Sequence, residues 1–97
     1  GAGLIGLEAA DTLVKKGLNV TIVEALPTIL ANNLDPDLIN PIQKQIEDHA
    51  TLFTNHLVTE AQAKNNQIQS VTILNQENKK QPIQTLKTKY HLNRKRI

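Results

Sequence analysis

Gly1-Ala2-Gly3-Leu4-Ile5-Gly6 runs without a break into Leu7-Glu8-Ala9-Ala10-Asp11, and the reading of this stretch decides the fold. As G-x-G-x-x-G opening a helix, it predicts a dinucleotide loop. Gly1 would allow a tight turn, Gly3 close approach of the backbone to a pyrophosphate, and Gly6 close packing of the helix on a sheet. The pyrophosphate is favoured at the helix N-terminus because amide N–H groups point there and the aligned peptide dipoles place about half a positive charge at that end. The competing reading is a glycine-rich turn before an ordinary helix, and the loop alone does not separate the two.

Downstream of the loop, Leu7, Ala10, Leu13 and Val14 recur at helical spacing and predict one apolar face on a helix over residues 4–16. Asp11 and Lys15 form an i, i+4 pair on the other face. Glu8 lies toward the positive end of the helix dipole, and Lys15 and Lys16 lie at its negative end. Gly17 fits the left-handed position that ends a helix. The next run, Leu18-Asn19-Val20-Thr21-Ile22-Val23-Glu24, is almost wholly apolar and β-branched after Asn19, which predicts a strand buried on both faces of a parallel sheet. It ends on a carboxylate eighteen residues past Gly6, close to the spacing at which an acid accepts hydrogen bonds from an adenine ribose. Loop, helix, glycine stop, strand and terminal acid agree in order and spacing, and together they favour the dinucleotide reading over a surface Glu at a strand end. No Arg lies between Glu24 and Tyr90. A 2′-phosphate would therefore meet a carboxylate instead of a cation, and NAD(H) is favoured over NADP(H).

Pro27 falls in the loop that follows. Asp35 and Pro36 read as the N-cap and first residue of a second helix, whose Ile39, Ile42 and Ile46 stripe reaches about Asp48. Pro41 removes a main-chain hydrogen bond from any helix starting at Pro36, at a cost of about 3 kcal/mol. It predicts a break or kink near Asn40, with a shorter helix capped by Asn40 as the alternative. Residues 51–54 read as a short strand, and residues 57–64 and 67–74 as a hairpin around Asn65-Asn66, a pair that tolerates positive φ. Val71 and Ile73 give the hairpin one better buried face. Farther on, Ile83, Leu86, Tyr90 and Ile97 are sparse among Lys, Gln and Asn, which predicts disorder or a weak helix.

Composition limits the chemistry. The 97 residues suit one domain with a lean aliphatic core: 39% are hydrophobic, with one Phe, one Tyr and no Trp or Met. The absence of Cys excludes disulfides, thiolate metal sites and cysteine nucleophiles within this chain. It leaves the compartment open, with reduced cytoplasm favoured, and no run has the length of a membrane span. The net charge of +2 hides a division, because residues 1–78 carry four bases against all nine acids while residues 79–97 carry seven bases and no acid. A boundary near Asn78 thus separates an acidic body from a basic tail. His49, His56 and His91 lack metal-ligand spacing and read as solvated. Asp35, Asp37, Glu47 and Asp48 read as caps or a wet helix face, so no residue is assigned to catalysis or to a metal.

Taken together, G-x-G-x-I-G-L-E-A-A from Gly1, K-x-G-L-x-V-T-I-V-E from Lys15 and L-D-P-D-L from Leu34 carry a resemblance. The chain resembles the NAD-binding domain of FAD-dependent pyridine nucleotide-disulfide oxidoreductases, especially the branch of NADH oxidases and CoA-disulfide reductases, over residues 1–78. The resemblance implies an α/β fold: an incomplete Rossmann-like three-layer NAD-binding domain, its first strand missing, with an antiparallel β-meander. Residues 1–78 would be a partial NAD(H)-binding domain and residues 79–97 a basic, disordered tail. It further implies that Gly1, Gly3 and Gly6 belong to the pyrophosphate loop together with Leu4 and Ile5, and that Glu24 is the ribose-binding acid. Glu8 matches a Glu toward the nicotinamide end, while Leu4 stands where a Tyr covering the nicotinamide pocket is usual. The implied activity is transfer of hydride from NADH to flavin, with FAD held in a domain absent here, so the chain alone is expected to be inactive. The implied partners are NADH and the remainder of a parent flavoprotein, itself a homodimer, with no membrane.

Two further readings stay open. One is another Rossmann nucleotide-binding fragment, of dehydrogenase or SAM type. The other, ranked low, is a non-enzymatic binder whose basic tail contacts nucleic acid or another polyanion. A chain that opens on the first motif glycine is expected to be a fragment. Without the central strand that precedes such a loop, it is expected to be aggregation-prone or partly unfolded alone.

Overall fold

The computed structural model of the protein describes residues 1–88. Helix α1, Leu4–Lys15, starts from an extended Gly3 and stops at a cap that the sequence specifies closely. Gly17 has φ +83°, its N–H donates to Val14 O at 2.9 Å, and the Leu18 N–H reaches back to Leu13 O at 3.2 Å. This pair of bonds is a Schellman stop, and the left-handed residue it needs is the glycine. Ala10 is buried and Leu7 and Val14 are half-buried, as the helical spacing predicts, but Leu13 is exposed. The Asp11–Lys15 pair forms at 2.9 Å on the solvated face, where such a pair contributes little.

Strand β1, Thr21–Val23, pairs in parallel with β2, Thr51–Phe53, and helix α2, Pro36–Glu47, connects them. A parallel pair needs a crossover of this kind. β1 is shorter than the 18–24 run predicts and is not buried on both faces: Thr21 is exposed and Val23 half-buried around a buried Ile22. The reason lies in its neighbours, since among the described residues β1 has a ladder on one side only. The Thr51 N–H donates to Val20 O at 2.9 Å and the Glu24 N–H to Phe53 O at 2.8 Å, so by alternation the main-chain groups of Thr21 and Val23 face the other edge.

α2 begins at Pro36 with Asp35 as its extended N-cap and runs through Pro41 without a break, which corrects the expected interruption at Asn40. Asp37 and Pro41 are both exposed, so water can replace the main-chain bond that Pro41 lacks. An unbroken helix also keeps Ile39, Ile42 and Ile46 on one face. That face joins a core of Ala2, Ala10, Ile22, Ile29, Leu30 and Ile39. Ile29 and Leu30 come from the loop after β1 and carry no periodic signal.

The chain divides into two compact units, Gly1–His56 and Leu57–Ile97. β3 (His56–Lys64), which enters the second unit at Leu57, β4 (Gln67–Asn75) and β5 (Ile83–Lys87) form a sheet in that order. Asn65 and Asn66 turn the hairpin with φ of 54° and 63°, the two left-handed residues that a tight type I′ turn requires. Ile73 on β4 is fully buried.

β5 corrects the expectation of disorder or a weak helix in residues 83–87. It pairs antiparallel with β4 from Ser70↔Lys87 to Leu74↔Ile83, so ladder bonds supply what a sparse apolar pattern does not. Two asparagines shape the connection: Asn75 Oδ1 accepts the Glu77 and Asn78 amides, and Asn78 Oδ1 accepts those of Lys80 and Gln81. These Asx turns lead the chain back to β4. The remaining tail residues with predicted roles, Lys89, Tyr90, His91, Arg94, Lys95, Arg96 and Ile97, lie outside the described residues.

Candidate functional site

The glycine loop and the end of β1 meet through one carboxylate. Glu24 follows β1 directly and is buried to 8% exposure. Its Oε1 accepts the Ala2 N–H at 2.6 Å and the Gly1 amino group at 3.3 Å, and its Oε2 accepts the Leu26 N–H at 2.7 Å. The Gly1 amino group also donates to Val23 O at 3.2 Å. Burial pushes the Glu24 carboxyl upward, but the Leu26 and Ala2 amides, joined by the Gly1 ammonium, outweigh it and hold the group below its ordinary value. The acid is therefore charged at neutral pH.

That depressed value carries a pH prediction. A lowered native pKa stabilises the fold above the unfolded Glu value of about 4.3, and the contribution is lost as pH falls through the native value. Thermal melts from pH 7 to 3 should show a fall in midpoint on the acid side that Glu24→Gln reduces. An equal acid slope in both proteins would contradict the assigned charge.

The three loop glycines differ in what surrounds them. A Cβ on Gly6 would overlap the Gly1 carbonyl oxygen, while a Cβ on Gly3 would meet nothing within 4 Å. Gly6 thus serves a close crossing of the helix on the loop at Gly1, where the sequence predicts close packing of the helix on a sheet. Gly3 leaves open space at the start of α1, where no side chain caps the first turn. Amide donors and the positive end of the helix dipole at such a position suit a phosphate. Leu4 and Ile5 are the first two residues of α1. Glu8 is exposed and lies past the first turn, where the dipole effect has faded; the structure does not bring it to Glu24.

Three participants escaped the motif reading. Ala2, the variable residue between two glycines, is 1% exposed, gives its N–H to Glu24 and takes the Leu30 N–H on its carbonyl at 2.8 Å. Leu26 and Leu30 act through main-chain amides, which side-chain identity does not announce. The one signal available was the apolar pair Ile29-Leu30 inside a loop. His56 also departs from its expected solvation: it is half-buried, its Nδ1–H donates to Thr54 O at 2.6 Å, and its ring meets Phe53 edge-on. His49 is exposed, and His91 lies outside the described residues. A groove of about 490 Å3 between α1 and α2, lined by Leu7, Val14, Ile22, Ile46 and His49 among others, includes neither the loop glycines nor Glu24.

The pattern of the pyridine nucleotide-disulphide oxidoreductase family matches residues 1–78. An NADH oxidase of Methanocaldococcus jannaschii is 49% identical over 47 residues, which are 48% of this chain and 10% of that protein. The crystal structure of a FAD-dependent pyridine nucleotide-disulphide oxidoreductase from Desulfovibrio vulgaris superposes with a TM-score of 0.75 at 24% identity, over 90% of this chain and 20% of the other. A water-forming NADH oxidase from Lactobacillus brevis, solved bound to NADH, superposes with a TM-score of 0.69 at 25% identity, over 91% of this chain and 18% of the other. The chain therefore spans a fifth or less of each protein it is compared with here.

Proposed function

The chain belongs to the pyridine nucleotide-disulphide oxidoreductase family, and on that premise we propose that it is the NADH-binding part of an FAD-dependent oxidoreductase. The observation that carries the reading is the charged Glu24 carboxylate at the end of β1, bonded to the loop that would hold the pyrophosphate. A carboxylate offers about four acceptor positions. Three are filled by Ala2, Gly1 and Leu26, leaving one on Oε2 for a ribose hydroxyl. The amides at the start of α1 and the open space at Gly3 suit the pyrophosphate. Leu4, Ile5 and Glu8 would lie along the same nucleotide, with Glu8 toward the nicotinamide end.

When bound, NADH supplies a hydride for a flavin held by other parts of the parent protein, and this chain's residues contribute binding and orientation. No side chain here is assigned a catalytic role, so the chain alone should not oxidise NADH. We place the protein in the cytoplasm, within a homodimeric flavoprotein.

Charge sets the preference between cofactors. A 2′-phosphate beside Glu24 would be repelled, so NADH should bind at least about tenfold more tightly than NADPH. Glu24→Ala removes the repulsion and should bring the two dissociation constants within about threefold of each other. An unchanged preference in that variant would remove Glu24 from the nucleotide site.

A further inference from the structure

Leu30 is a non-glycine residue with φ +50°, it is 7% exposed, and it sits in a loop rather than in any regular element. A left-handed backbone is costly for a branched aliphatic residue and persists only where the surroundings over-determine it. They do so here on three sides. The Leu30 carbonyl accepts the Asn33 N–H at 2.9 Å and the Leu34 N–H at 3.2 Å, and the preceding Ile29 N–H reaches Gln43 Oε1 on α2 at 3.4 Å. The Leu30 N–H is thereby aimed at the Ala2 carbonyl, 2.8 Å away.

We propose that Leu30 is a positioning residue of the nucleotide loop, whose left-handed backbone aims an N–H that fixes the Ala2 carbonyl and so sets the direction in which Gly3 leaves. Ala2 is pinned on both sides, by Glu24 on its N–H and by Leu30 on its carbonyl. Gly3, the next residue, has no side chain to hold it and open space where a Cβ would stand, and its carbonyl accepts the Leu7 N–H at 3.0 Å only as α1 begins. The direction in which the chain enters α1 at Gly3 is therefore set on the loop side from Ala2. Glu24 would both pin the loop and face the ribose, whereas Leu30 only pins. The consequence for NADH rests on the function proposed above; the clamp itself does not.

Two substitutions separate this role from simple core filling. Leu30→Val keeps an aliphatic side chain, but its β-branch resists φ +50°. Leu30→Gly accepts that backbone and gives up the side chain. If Leu30 only filled the core, glycine would be the more damaging change.

The test measures amide exchange by NMR at residue 30 in the ligand-free full chain, with the Ile22 and Ile39 amides as internal references, and the dissociation constant for NADH. Leu30→Val is expected to lower protection at residue 30 about tenfold relative to the references and to weaken NADH about tenfold. Leu30→Gly should keep both within about threefold of the parent chain. The reverse order in either readout, or an unprotected residue 30 in the parent chain, overturns the proposal. A parent chain that does not bind NADH overturns the function instead, and the exchange ranking then decides the clamp alone.

Discussion

Gly6→Ala should cost the fold about 3 kcal/mol, while Gly3→Ala should leave its thermal midpoint unchanged. In an ordinary helix interior the exchange of Gly for Ala is worth about 0.5–1 kcal/mol in the opposite direction, because alanine loses less backbone entropy on folding. At Gly6 that gain is overridden: the added Cβ would coincide with the Gly1 carbonyl oxygen and crowd the carbon behind it. Backbone cannot step aside as a flexible side chain would, so α1 must lift off the loop, and the core cluster that holds both Ala2 of the loop and Ala10 of α1 loosens. Gly3 has φ −79° and open space around it, a conformation alanine adopts freely. Thermal or urea melts of the two variants read this contrast directly. A Gly6→Ala protein as stable as the parent would mean that the helix does not cross the loop this closely.

The second large effect concerns the edge of β1 that has no strand beside it among the described residues. The Gly1 amino group already donates to Val23 O, and the remaining main-chain groups of Thr21 and Val23 point along the same edge. A short apolar strand of the type V-x-V-I-G placed before Gly1 would continue this ladder in parallel. Ordering about five residues costs about 1–2 kcal/mol each in backbone entropy. Burying two or three Val or Ile side chains returns about 1.5–3 kcal/mol each, and each ladder bond adds about 1 kcal/mol. The side chains also cover the half-buried inner face of α1, so the net gain should be about 2–4 kcal/mol. For a domain of this size that raises the midpoint by about 10–20 °C. A sharp cooperative melt of residues 1–97 that does not respond to the added strand would contradict the account of this edge of β1 as able to take a further strand.

What could be read from the sequence was whatever local chemistry decides. Gly17 stops α1 because one left-handed residue suffices, and Asn65-Asn66 turn a hairpin for the same reason. The Gly6–Glu24 spacing brings loop and acid together because a helix and a strand of standard length lie between them. The rest depended on partners that lie elsewhere in the chain. Ile29 and Leu30 are core residues only because Ala2 and α2 come to meet them. β5 exists because β4 offers an edge, not because Ile83–Lys87 is a strong strand sequence. Pro41 sits inside α2 because packing of Ile39, Ile42 and Ile46 favours an unbroken helix over the local gain of ending it. At the site, the glycines and Glu24 were visible, while Leu26 and Leu30 were not, since they contribute only main-chain amides.

The central claim, that this chain holds NADH at its glycine loop, is tested most directly by titrating the purified chain against NADH, NADPH and SAM. NADH fluorescence can be followed without interference, as the chain has no Trp. The account predicts saturable binding of NADH, weaker binding of NADPH, none of SAM, and loss of NADH binding in Gly3→Val with an unchanged melt. Equal binding of the three ligands, or a Gly3→Val protein that binds NADH as the parent does, would contradict it.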